Sequence, residues 1–205
     1  MARGLAARLG YTFLDTGALY RTVALLAQEK AIAWDDGVGL ASLTCDLEIV
    51  FTGSGENTRI FANGQDVTTS IRRAEISQGA SLVSALPAVR AGLLDMQRRV
   101  ATKNSVVAEG RDIGTMVFPA AQAKFFLIAN PETRARRRTL ELQAAGRPAI
   151  FEDVLAEMKI RDERDSARAV APLRRADDAI EIDSSQLSPD AVMEQMIAVV
   201  RSRGG

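Results

Sequence analysis

At 205 residues, 47% hydrophobic and 25% charged, the chain fits one globular domain with insertions, or two small ones. Its 26 basic and 26 acidic side chains cancel, so no overall field draws it to nucleic acid or a membrane surface, and no apolar run is long enough to span a bilayer. It has no His, so the usual neutral-pH acid, base and metal ligand is missing and chemistry must rest on Asp, Glu, Arg and Lys.

Met1, Leu5 and Leu9 recur at helical spacing and Gly10 stands as the stop, yet no capping side chain starts this helix. Arg3 and Arg8 lie here without a signal peptide's apolar stretch, so a cytoplasmic location is expected. "GYTFLD" (10–15) is short, aromatic and alternating and predicts a strand. "TGALYRTVALLAQEKAI" (16–32) predicts a helix capped by Asp15 or Thr16, with Thr16 preferred. Cys45, the only cysteine, leaves no internal disulfide or multi-cysteine metal site and is expected in the core.

Residues 46–66 change character: "DLEIVF" and "TRIFANGQD" predict a small β insert between helices, with "FTGSGEN" (51–57) as a hairpin turn. Residues 74–102 are helical, broken or restarted at Pro87. "NSVVAEGRD" (104–112) and "AKFFLIAN" (123–130) are buried-type strands. Helices follow over 131–146 and 151–170, then a strand over 178–185 and a capped helix to about 202. This alternation predicts an α/β fold with a parallel sheet, whose ligand edge is the carboxyl end of its strands. "LDTG" (14–17) and "EGRD" (109–112) lie there.

Arg111 in "AEGRDIGT" can fork onto phosphate or carboxylate oxygens and Asp112 can accept from amino groups; a loop ion pair or helix cap is the plainer reading. Thr16 and Arg21 can face the same ligand, although capping alone explains Thr16. In "RDERDSAR" (161–168), Arg161, Asp165 and Arg168 at i, i+4 and i+7 share a helix face. A solvated ion-pair ladder would explain them, but every base there is Arg, and "RARRR" (134–138) adds four more. Arg is preferred to Lys where planar, bidentate contacts to phosphate are made. An RNA-binding module is disfavoured by zero net charge and 5% aromatic content.

"GYTFLDTGALYR", "VVAEGRDIGTMVFP" and "RDERDSARAVAPL", in this order and with a β insert between the first two, closely resemble the bacterial cytidylate kinases from residue 1 to about 200. The resemblance implies a P-loop nucleoside monophosphate kinase fold, with a core parallel sheet flanked by helices, a small β insert and a helical lid. It places the core at 1–33, 73–133 and 166–205, the insert at 34–72 and the lid at 134–165. It implies ATP-dependent phosphorylation of CMP and dCMP, with Mg²⁺ accompanying ATP, no protein metal site, no nucleic-acid or membrane partner, and a monomer. Thr16, Arg90 and Asp112 match positions that read the cytosine. Arg21, Arg111 and Arg168 match positions that hold the monophosphate, with Arg111 and Arg168 as the catalytic pair. Arg161 and Asp165 match positions near sugar and phosphate. Arg134, Arg137 and Arg138 fall where lid arginines approach ATP.

The family's opening strand and its G-x-x-x-x-G-K loop, which cradles ATP phosphates on backbone N–H groups, have no counterpart in these 205 residues. "FTGSGEN" is Gly-rich but has no Lys. The resemblance therefore implies a chain that begins after the central strand and loop, with the flanking strands expected to face a gap with unpaired backbone groups, and with a non-catalytic or vestigial CMP-binding protein as the alternative to a kinase.

Overall fold

The computed structural model describes residues 1–53, 58–102, 104–167 and 169–204. The first helix, α1 (Ala2–Leu9), has no side-chain cap at its start. It ends at Gly10, whose φ of 70° is the left-handed conformation that glycine adopts without a Cβ penalty. The N–H groups of Gly10 and Tyr11 then close back on the Ala7 and Ala6 carbonyls.

Strand β1 (Thr12–Asp15) leads directly into α2 (Thr16–Glu29). Ten of the 14 residues of α2 are buried, so it is apolar almost all round and forms the centre of the larger core. Asp15 is its cap, accepting from the Ala18 N–H at 2.9 Å. Thr16, the expected cap, does not serve as one, because its hydroxyl donates to the Glu109 carbonyl at 2.7 Å.

Helix α3 (Gly37–Cys45) is capped by Asp36, which accepts from the Val38 and Gly39 N–H groups. It buries Leu40, Leu43 and Thr44. Cys45 falls off that stripe at the helix's last residue and is exposed, not part of the core as expected. The insert follows as an antiparallel sheet of β2 (Ile49–Thr52), β3 (Arg59–Ala62) and β4 (Gln65–Asp66). Asn63 and Gly64, with φ of 48° and 82°, make the tight turn between the last two. Residues 54–57 of the predicted "FTGSGEN" turn lie outside the described residues, and the strands on either side pair as a hairpin requires.

A 3₁₀ turn (Ser70–Arg72) precedes α4 (Ala74–Val83), and α5 (Pro87–Ala101) restarts with Pro87 in its first turn. Strand β5 (Val106–Glu109) runs into a single π-helical turn (Ile113–Val117). Then come β6 (Phe125–Ile128), α6 (Pro131–Ala144), α7 (Phe151–Ser166), β7 (Ile180–Asp183) and α8 (Pro189–Ser202). Asn130 caps α6 through the Thr133 N–H, and Ser188 caps α8 through the Ala191 N–H.

The parallel strands form two pairs, β1 with β5 and β6 with β7. The parallel sheet is therefore divided. Each pair completes its ladder on one side, and β5 and β6 face each other across a cleft of about 1130 Å³ lined by Ala2, Leu5, Val107, Phe126 and Met196. One core packs α2 against α3, α4, α5 and the insert through Leu19, Val23, Leu25, Ile60, Ile76 and Leu93. The other packs α1 against α8 and β7 through Leu5, Ile182, Val192 and Met196. An Arg8–Asp190 pair at 3.0 Å ties α1 to α8. Among the described residues, no helix is long and apolar enough to cross a membrane.

Candidate active site

Charged side chains gather where β1 and β5 end. The two strands run in register, Asp15 opposite Glu109, so both chains deliver their last residues to one edge. Gly110 must be small there, because a Cβ on it would come within 2.3 Å of Thr16 Oγ1. That close approach lets the loop 110–112 pass the start of α2.

Asp15 performs two tasks. One oxygen caps α2, and the other takes Arg21 Nη2 at 2.8 Å. Glu109, opposite, has its carboxyl raised above the ordinary range, first by loss of water around it and then by the Asp15 charge. Arg3, Arg21 and the terminal amine lower it to a lesser extent.

Beyond Gly110 the chain sends two neighbouring side chains in different directions. Asp112, 6% exposed, pairs with Arg90 of α5, whose guanidinium also donates to the Ser84 carbonyl at 3.1 Å and lies over the Tyr20 ring. Arg111 turns toward α7. Its Nε lies 3.1 Å from Asp165 and its Nη1 4.0 Å from Asp162. Asp165 is 1% exposed and also accepts from Ser81 Oγ at 3.3 Å, with Arg161 Nε 3.8 Å away. Asp162 takes Arg134 Nη2 at 2.6 Å, which brings the start of α6 to the same group. The end of α4 touches both halves: Ser81 reaches Asp165, and the Ser84 carbonyl holds Arg90.

The structure thus gathers Thr16, Arg21, Arg90, Arg111, Asp112, Arg134, Arg161 and Asp165 around the ends of β1 and β5. Arg168 lies outside the described residues. Arg137 is held at the end of β7, donating to the Ser184 carbonyl at 2.6 Å. Arg138 pairs with Glu141 on its own helix, 3.3 Å away. "QGASLVS" carries no signal for Ser81. The spacing of Asp162 and Asp165 at i, i+3 marks them as neighbours on one helix face, but nothing in the sequence marks the bridge from Asp162 to Arg134.

Chemically, the Arg90–Asp112 pair offers a planar donor and a carboxylate acceptor in a mostly buried setting, suited to a polar ring edge. The arginines beside it suit phosphate. Among the described residues, no three His, Cys, Asp or Glu side chains gather as a metal site.

A family model described as cytidylate kinase matches residues 1–202. A cytidylate kinase of Geobacter sulfurreducens is 51% identical over 199 residues, which is 97% of this chain and 85% of that protein. One from Citrifermentans bemidjiense is 50% identical over 199 residues, with the same shares. One from Pasteurella multocida is 44% identical over 197 residues, 96% of this chain and 87% of that protein.

Proposed function

The chain belongs to the cytidylate kinase family, and from that premise we infer that the cluster at the ends of β1 and β5 holds CMP or dCMP for phosphorylation. The activity is (d)CMP kinase: ATP gives its γ-phosphoryl group to the nucleotide's phosphate, forming CDP or dCDP. Membership of a kinase family disfavours a non-catalytic binding protein. The observation that carries the assignment of the site is the mostly buried Arg90–Asp112 pair standing beside Arg111 and its partners on α7.

In this reading Asp112 accepts from the cytosine amino group while Arg90 donates to the ring acceptors, with Thr16 alongside. A carboxylate has several lone pairs, so Asp112 can serve Arg90 and the base together. Uracil has a carbonyl in place of the amino group and would face the carboxylate unfavourably. Arg21 and Arg111 hold the monophosphate, joined by Arg168, while Arg161 and Asp165 contact sugar and phosphate. Arg134, Arg137 and Arg138 are the ATP-side arginines, and Arg134 has the most support because it already meets the cluster through Asp162.

The attacking group is a phosphate oxyanion, so no general base is needed, and the chain's lack of His is no obstacle. The protein aligns the oxygen in line with the transferred phosphorus and neutralises charge through Arg111 and Arg168. Mg²⁺ accompanying ATP would take ligands from nucleotide phosphates and water; none of these protein roles depends on it. The insert (34–72) and lid (134–165) are the parts expected to move against the core. We assign the activity to a cytoplasmic monomer, in keeping with the single cysteine.

Calorimetric titration of CMP and UMP into the wild-type chain and Asp112→Asn tests the assignment. The wild type is expected to prefer CMP, and the variant to lose at least about fivefold of that preference. An unchanged ratio, with the variant folded, would reject the role of Asp112.

A further inference from the structure

Asp162 is a single carboxylate between guanidinium groups sent from two different elements. Its Oδ2 lies 2.6 Å from Arg134 Nη2, at the start of α6, and its Oδ1 4.0 Å from Arg111 Nη1, after β5. On the reading above, the first arginine handles ATP and the second the CMP phosphate. Asp162 therefore links the arginine assigned to ATP with the one assigned to the CMP phosphate.

Arg111 meets two carboxylates from one face of α7, and the two are unequal. Asp165 is 1% exposed, 3.1 Å away and further bonded by Ser81, so removing it would strand buried polar groups. Asp162 keeps 25% of its side chain exposed, and its contact with Arg111 is the longer one. Being partly in water already, it loses less on release from Arg111 than Asp165 would. Carboxylate and phosphate both present paired oxygens to an arginine fork, so one can stand where the other will bind.

We propose that Asp162 is a placeholder for phosphate. It holds Arg111 and Arg134 near each other, offsets their mutual repulsion before nucleotide arrives, and gives way when phosphate enters. Phosphate then competes with Asp162 for the same guanidinium groups. This rests on the assignment of Arg111 and Arg134 to phosphate binding.

The test is calorimetric titration of the full chain with CMP and with cytidine, comparing wild type, Asp162→Asn and Asp162→Glu. Loss of the competing charge in the Asn variant is expected to tighten CMP about fivefold, the size of a partly exposed ion pair. Cytidine, which has no phosphate, is expected to bind all three proteins equally, and the Glu variant, which keeps the charge, to match wild type for CMP. Unchanged or weaker CMP binding by the Asn variant, or an equal shift for cytidine, would show that Asp162 merely braces α6 against α7. Asp162→Ser serves if the Asn variant fails to fold, and failure of both would overturn the proposal, because a placeholder is dispensable for folding. A wild type that does not bind CMP would instead sink the assignment of the site, and the placeholder with it.

Discussion

Glu109 is where the site's charge acts on stability. Loss of water and the Asp15 carboxylate hold its proton more tightly in the folded chain than the ordinary value of 4.5. A folded-state pKa above the unfolded one means that stability falls as pH rises from about 4.5 through the folded value, because the unfolded chain then releases its proton more readily. Glu109 stands exposed at the end of β5, so solvent screens the effect. Glu109→Gln is therefore expected to raise Tm only slightly at pH 7 and to leave it unchanged near pH 3.5, and thermal scans at the two values check this. A Tm at pH 7 equal to the wild type's would show that the ionised carboxylate costs nothing. Several residues of the cluster could be picked from sequence because their types were out of place: charges directly after a buried strand, and arginines where lysine would serve a wet surface. Ser81 could not. A serine inside a helix is chemically ordinary until the fold brings Asp165, 84 positions away, to its hydroxyl.

Helix starts and stops carry much of the architecture, and they were readable to the degree that local chemistry decides them. Pro87, Pro131 and the expected cap of the last helix mark starts that the structure bears out, while Asn130, read as the end of a strand, proves to be the cap of α6. The left-handed Gly10 marks a stop. At α2 two candidate caps stood side by side, and a contact distant in sequence decided between them: Thr16 turns to the β5 carbonyl and leaves capping to Asp15. Helix α3 is not legible in the sequence because two glycines dilute its pattern, and its buried stripe is only Leu40, Leu43 and Thr44. The π-helical turn after Asp112 follows no simple period. Asp15→Ala should remove both the cap and the anchor of Arg21, at a cost of about 1–2 kcal/mol, whereas Asp15→Asn retains an acceptor for the Ala18 N–H and should lose less. Urea unfolding of the two variants checks the order, and equal losses would mean that the Arg21 pair, not the cap, dominates.

For the molecule as a whole, alternating strands and helices announced a parallel α/β fold with its ligand edge at the strand ends. The resemblance, whose central strand has no counterpart in this sequence, carries the expectation of a gap beside that strand's neighbours; which strands would pair with which is not legible, because short apolar strands such as Val106–Glu109 and Phe125–Ile128 carry no mark of their neighbours. The division leaves the β1–β5 edge intact, and that edge receives α4, α5, α6 and α7 through Asp165, Arg90 and Arg134. The central claim is that this convergence is the CMP site. A crystal structure of the chain with CMP bound tests it most directly. The cytosine is expected against Arg90 and Asp112, with the phosphate on Arg21 and Arg111. CMP seated elsewhere, with Arg111 still engaged only by Asp162 and Asp165, would contradict it.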